Sequence, residues 1–263
     1  MPAVRAPYRT YVSSNVCTIP HAADRLPEDS KPGAMPQVFY VHGSGHTADS
    51  FREQANAFAG SAALSLPGHP SGIALDSVEQ CASWLARRME ESGAMRAVVA
   101  GNSLGGAIAL QWALDHPAQA AGIVLVGTGA RLRVSPEIFK MIDNDWPACI
   151  DTLVDWSLGK DPPAELRARA KSWHLAVGKE TTRKDYAACN AFDVIERLPE
   201  LRLPALIVVG SQDRMTPVKY SAFLHEHIPG SELMVVPDAG HLVMAEQPVR
   251  VNAALASFIE SVS

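Results

Sequence analysis

Ser103 stands two residues from a glycine on each side, in Gly101-Asn102-Ser103-Leu104-Gly105. An apolar run, 97–100, leads into it, and a helix-like run, 107–114, leads out. A strand that turns sharply into a helix strains its central residue. The residues two before and two after then collide unless they lack a Cβ. The gain is a hydroxyl held proud of the sheet at the amino end of a helix. There the Leu104 N–H and the helix end both favour developing negative charge. A serine hydroxyl is a weak nucleophile until a base takes its proton and a third group orients that base. Further along, Asp213 follows Gly210-Ser211-Gln212, and His241 follows Ala239-Gly240. These types suit nucleophilic acyl transfer: Ser103 attacks, His241 relays the proton, and Asp213 holds the imidazole tautomer and steadies the imidazolium. The oxyanion would sit between the backbone N–H groups of Ser44 and Leu104.

Such distant residues need a scaffold to gather them. Apolar runs at 38–41, 62–66, 97–100, 122–127, 205–209 and 233–236 read as strands buried on both faces. Helical patterns separate them. Ser77 with Gln80 forms an expected capping box, Val78, Cys81, Ala82, Leu85 and Met89 share one face, and Gly93 suits the C-terminal end. Thr216 followed by Pro217 reads as a helix cap and first helical residue, and Val251, Leu255, Phe258 and Ile259 mark the last helix. The expected fold is α/β, a mostly parallel sheet with helices on both faces. Ligands bind beyond the carboxyl ends of such strands, and four of these runs deliver His42-Gly43-Ser44-Gly45, Ser103, Asp213 and His241 to that edge. From 129 to 196 no convincing strand occurs. Apolar residues there fall at helical spacing, and Pro136, Pro147, Pro162 and Pro163 divide the block into three or four short helices. The expected division is an α/β core of 1–128 and 197–263 with a helical cap, or lid, of 129–196. Before it, strands are expected near 8–12 and 16–19, then a Pro-rich loop at 21–35.

Rival assignments are weaker. Asp238, three residues before His241, reads as a turn residue rather than the orienting acid, and the run ending at Gly127 offers Thr128. His42, His46 and His69 fit no metal-ligand spacing and lack acidic sequence neighbours. We read His42 and His69 as turn-stabilising and His46 as a pocket residue, and expect no metal. A net charge of −5 without a dense basic block argues against nucleic acid, and the richest basic run, 167–171, reads as a solvated helix face. A hydrophobic fraction of 47% supports a large core rather than disorder. No run approaches the ~20 apolar residues of a membrane span, and the N-terminus lacks the apolar core of a signal peptide. Four scattered cysteines without a C-x-x-C pair suggest reduced thiols in a cytoplasmic protein. A monomer or homodimer is expected, and no cofactor is implied.

The set Val41-His42-Gly43-Ser44-Gly45, Leu66-Pro67-Gly68-His69, 101–106, 210–217 and Ala239-Gly240-His241 resembles the α/β-hydrolase fold superfamily over residues 37–262. The chain order Ser, Asp, His is the one that superfamily uses. The resemblance implies the roles given above for Ser103, Asp213 and His241, and a helical cap at 129–196. One departure is visible. Many members carry aspartate before the Leu-Pro-Gly-His turn and glycine after it, where this chain has Ser65 and Pro70; the difference touches a structural loop. Serine at the elbow sets the chain apart from haloalkane dehalogenases and epoxide hydrolases, which use aspartate there. The expected activity is a serine carboxylesterase acting on small-molecule esters with small to medium, largely apolar groups, through an acyl-enzyme. Lactonase, thioesterase, and C–C hydrolase or lyase activities with the same triad stay open. So does a ligand receptor on the same scaffold that turns nothing over. Phe139, Trp146, Trp156 and Trp173 could line a lid over an apolar group, although each is more simply explained by packing the insertion onto the core.

Overall fold

The apolar runs lie side by side in a computed structural model that describes residues 36–263. The strand candidates at 8–12 and 16–19 and the loop at 21–35 lie outside the described residues. Six parallel strands, β1 (Gln37–Val41), β2 (Ala62–Leu64), β3 (Ala97–Asn102), β4 (Ala120–Val126), β5 (Ala205–Gly210) and β6 (Glu232–Val236), form one sheet in the order β2-β1-β3-β4-β5-β6. The chain steps outward from β1 to β2, crosses back over β1 to β3, and then proceeds to the far edge. This reversal creates a switch point between β1 and β3, the place where open α/β sheets bind ligands. The register pairs Val41 with Gly101, so the loop after β1 and the turn after β3 emerge together.

Among the described residues ten α-helices accompany the strands: α1 (Arg52–Ala57), α2 (Val78–Glu91), α3 (Leu104–Asp115), α4 (Pro136–Asn144), α5 (Trp146–Ser157), α6 (Ala164–Val177), α7 (Lys179–Ala191), α8 (Val218–His227), α9 (Val243–Glu246) and α10 (Pro248–Ser261). Every position of β3 and β4 is buried. Alternate residues serve opposite faces of the sheet. Val99, Ile123 and Leu125 join Leu85 and Met89 of α2 and Ile108 and Trp112 of α3, while Val98, Val124 and Val126 join Val251, Leu255 and Ile259 of α10. Helix α3 is buried from Leu104 to Leu114, which accounts for its apolar residues on all sides.

Local signals mostly act as their chemistry dictates. Ser77 Oγ accepts the Gln80 N–H, but Gln80 Oε1 reaches the N–H of Asp76 rather than that of Ser77. Gly93 ends α2 with φ +78°. Four helices, α4 to α7, fill the block between β4 and β5, and Ser135 and Asp145 cap α4 and α5 just ahead of Pro136 and Pro147. An antiparallel bridge of Arg131 with Asp193 closes the base of this insertion.

Two expectations need correction. The strand expected at 62–66 is only Ala62–Leu64 and half-buried, because β2 is the edge of the sheet. The basic run 167–171 is not wholly a solvated face. Arg169 turns inward, pairs with Glu53 and Asp49, and lies over the Trp173 ring.

Candidate active site

Ser103 joins β3 to α3 with φ 55° and ψ −113°, a left-handed conformation that costs a non-glycine residue about 1–3 kcal/mol. Neighbouring groups hold it there. Its N–H donates to Val126 O at 2.9 Å, and its carbonyl accepts from Thr128 Oγ1 at 2.7 Å. The flanking glycines are needed for close approach. A Cβ on Gly101 would fall on the Gly105 carbonyl, and a Cβ on Gly105 would fall on that of Val41 at the end of β1. Leu104 opens α3. Among the described residues, no backbone carbonyl accepts from the N–H of Leu104 or of Ser44.

The loops after β5 and β6 meet behind this turn. Asp213 Oδ2 lies 2.9 Å from His241 Nδ1, and both residues are buried. The carboxylate is held from several sides: Oδ1 accepts the N–H groups of Met215 and Thr216 at 2.9 and 2.8 Å, and Oδ2 accepts Thr216 Oγ1 at 2.9 Å. A neutral ring that donates Nδ1–H to Asp213 presents Nε2 as its acceptor. Asn102, next to Ser103, donates from Nδ2 to the carbonyls of His241 at 3.1 Å and Val126 at 3.2 Å. The serine turn and the histidine loop are thereby stapled together. Asp238 is exposed, left-handed at φ 57°, and serves its turn, as expected of it.

Sequence reasoning missed several supports. Thr216, expected as a helix cap, makes no cap bond. Its hydroxyl goes to Asp213, and Pro217 takes the cap position of α8. Glu246 bridges the Gly240 N–H at 2.9 Å and the Gly159 N–H at 2.7 Å, joining the His241 loop to the insertion. Its carboxyl is raised above its usual range, chiefly by burial. Asp185 of α7 approaches His69 and Gly45 from 116 and 140 residues away, so His69 does have the acidic partner that its sequence neighbourhood lacks. A carboxylate within a largely polar helical stretch carries no local signal for any of these contacts.

His42 and His69 stabilise turns, as expected. His42 Nε2 accepts the Leu66 N–H at 3.0 Å, and His69 Nδ1 faces Pro67 O at 3.1 Å. His46 is buried beside the rings of Trp173 and His174, at 5.2 and 5.1 Å between centroids. Burial, then the neighbouring His174, holds its pKa well below the usual value. Trp146 also faces His174, and the Trp173 indole N–H donates to Asp49 Oδ2 at 2.9 Å. Phe139 and Trp156 pack against the insertion's own cluster of Ile138, Ile142, Cys149, Leu153 and Tyr186.

The fold and the grouping of these loops define a class. A model of the alpha/beta hydrolase family matches residues 38–254, and the chain belongs to that family. Relatives are esterases and other hydrolases. The chain is 27% identical over 253 residues, 89% of its own length and 97% of the relative's, to a pimeloyl-[acyl-carrier protein] methyl ester esterase of Neisseria meningitidis serogroup C. It is 26% identical over 206 residues, 73% of this chain and 77% of the relative, to a putative carbamate hydrolase, RutD, of Shigella flexneri. Among solved structures, a thermophilic esterase superposes with a TM-score of 0.80 at 35% identity, over 86% of this chain and 90% of the other. Est816, described as an N-acyl homoserine lactone degrading enzyme, gives 0.77 at 26% identity, over 86% and 94%. Family and relatives mark the protein as a hydrolase. Among the described residues, no helix is long and apolar enough to cross a membrane.

Proposed function

We propose that the protein is a serine carboxylesterase cleaving small-molecule esters with small to medium, largely apolar groups. The buried Asp213–His241 pair behind the strained Ser103 turn is the observation that carries this reading. In the first half-reaction His241 Nε2 takes the Ser103 proton as Oγ bonds to the ester carbonyl carbon. The carbonyl electron pair moves to oxygen, where the Ser44 and Leu104 N–H groups receive it with help from the α3 terminus. Collapse breaks the C–O bond to the alcohol, which leaves with the proton from His241. Water then repeats the sequence on the acyl-Ser103 ester and releases the acid. Residues 129–196 act as a cap: Trp173 packs against His46 of the turn after β1, Trp146 faces His174, and Phe139 and Trp156 pack within the cap. The free, buried Cys81, Cys149 and Cys189 are consistent with a cytoplasmic setting.

A fluorophosphonate tests the nucleophile directly. Attack by Oγ expels fluoride and leaves one phosphonyl group on the peptide containing Ser103, detectable by mass spectrometry at one adduct per chain. Ester hydrolysis that survives with no adduct at Ser103 would sink the reading. Thr216→Val probes the support of the acid. The lost O–H donates to a carboxylate, an interaction of about 1.5–3 kcal/mol. Steady-state kinetics on a p-nitrophenyl ester should show kcat reduced on the order of tenfold with KM nearly unchanged.

A further inference from the structure

Helix α7 grips the loop that follows β1. Asp185, buried, accepts the Gly45 N–H through Oδ2 at 2.8 Å, and the same oxygen faces His69 Nε2 at 3.0 Å. Cys189, one turn further along, meets the Ser44 hydroxyl at 3.6 Å, and Thr182, one turn before, lies against Gly45. Positions 182, 185 and 189 share one helix face. The gripped loop is a four-residue turn. His46 N–H donates to Gly43 O at 3.2 Å, and Gly45 in third place has φ +68°. A positive φ there marks a type II turn, which differs from type I by a flip of the peptide plane between second and third residues. In this turn that plane is Ser44–Gly45, and the Gly45 N–H held by Asp185 belongs to it.

His69 completes the clamp. Its Nδ1 faces the Pro67 carbonyl at 3.1 Å and its Nε2 faces the Asp185 carboxylate at 3.0 Å. A neutral imidazole has one N–H and two acceptors face it, so only the imidazolium satisfies both. Burial opposes that charge, but the hydrogen bond and charge of Asp185 outweigh it and raise the His69 pKa. Burial takes His42 down to about 3 and pushes the Cys81 and Cys189 thiols up to about 12, and it raises the Tyr186 phenol and lowers His46.

We propose that Asp185, backed by His69, is a positioning residue for acyl transfer: by holding the Gly45 N–H it fixes the Ser44–Gly45 peptide and, through the shared Ser44 Cα, the turn that carries the Ser44 N–H at the oxyanion site. This rests on the acyl-transfer reading above. The helical insertion then does more than cover the substrate, because one of its carboxylates sets the backbone geometry of the transition-state site. A contact that strengthens only as charge develops acts on kcat, whereas one that holds the ground-state ester acts on KM.

Kinetics on a p-nitrophenyl ester, with affinity for a trifluoromethyl ketone whose serine adduct carries an oxyanion, distinguish these cases. Asp185→Ala should lower kcat on the order of 100-fold, the loss typical of one oxyanion donor, with KM within about threefold. Ketone affinity should fall by a similar factor. Asp185→Asn keeps the shape and an oxygen for the Gly45 N–H but cannot hold the imidazolium, and should fall about tenfold in both readouts. Near-UV circular dichroism checks the fold, and if the alanine variant does not fold, the asparagine variant decides alone. A kcat within about threefold of wild type, or a loss confined to KM, overturns the proposal. Ser103→Ala reads the underlying mechanism separately. If it stays active, the serine reading fails; if it is inactive while Asp185→Ala is fully active, only the role of Asp185 fails.

Discussion

Ser103→Ala is expected to lower kcat for p-nitrophenyl esters by on the order of 10⁶, about 8 kcal/mol of barrier. The loss is large because no other group can take over. On the proposed mechanism the attacking oxygen disappears, and with it the covalent intermediate on which His241 would act twice. Alanine keeps a Cβ, so the strain at φ 55° is unchanged, and the hydrogen bonds that hold the turn run through the backbone of residue 103. The melting temperature should therefore stay close to that of the wild type. His241→Ala should cost about as much, and the double variant should be little worse than either, because residues acting in one proton relay are not additive. Rates measured at equal enzyme concentration, with fluorophosphonate labelling as a control for contaminating esterases, check this. A Ser103→Ala variant retaining more than about a hundredth of wild-type kcat would contradict the mechanism.

The parts of this arrangement legible in the sequence share one property: their signal is local. Strands β3 and β4 are apolar at successive positions because both faces are covered. Gly101 and Gly105 flag the turn because backbone, not a pliable side chain, occupies the space a Cβ would need. The order of the carboxyl-end loops then follows from the parallel topology. What escaped sequence reasoning was the set of supporting contacts around the Asp213–His241 pair and the insertion. Thr216 carries an ordinary cap signal ahead of a proline, but its hydroxyl goes to Asp213 three residues back and also faces His241 Nδ1 from across the fold. Asp185 looks like one more polar residue of α7, whose buried face includes Thr182, Tyr186 and Cys189. Glu246 likewise finds its two N–H donors on loops six and 87 residues away. The inward turn of Arg169 is hidden for the same reason, since a basic run looks solvated until the acids of α1 and its preceding turn are packed against it.

Acid is expected to destabilise the protein well before its lowered carboxylates titrate. Burial takes His42 down to about 3 and His174 down to about 4, and lowers His46 as well. In the unfolded chain each returns to about 6.5. A histidine with a depressed folded pKa leaves the native state fully favoured above about 6.5, and that advantage drains as pH falls toward the folded value. At pH 5 the unfolded state holds about two more protons through His42 and His174 alone, so stability falls by roughly 3 kcal/mol per pH unit. Against a typical total of about 5–15 kcal/mol, the melting temperature should drop steeply between about pH 6 and 4.5. The lowered carboxylates, Asp49, Asp143 and Asp193, lose their contribution only below about pH 4, near their ordinary value. His69 runs the other way: its raised pKa contributes stability fully present below about 6.5 and lost as pH climbs through the folded value. Stability should thus peak near neutrality. His174→Phe preserves a buried ring where the Nδ1 has no hydrogen-bond partner, removes one proton from the balance, and should flatten the acid slope by roughly a third to a half. Calorimetric melts at half-unit pH intervals measure both slopes, and a wild-type melting temperature unchanged from pH 7 to 4.5 would rule out neutral burial of these rings.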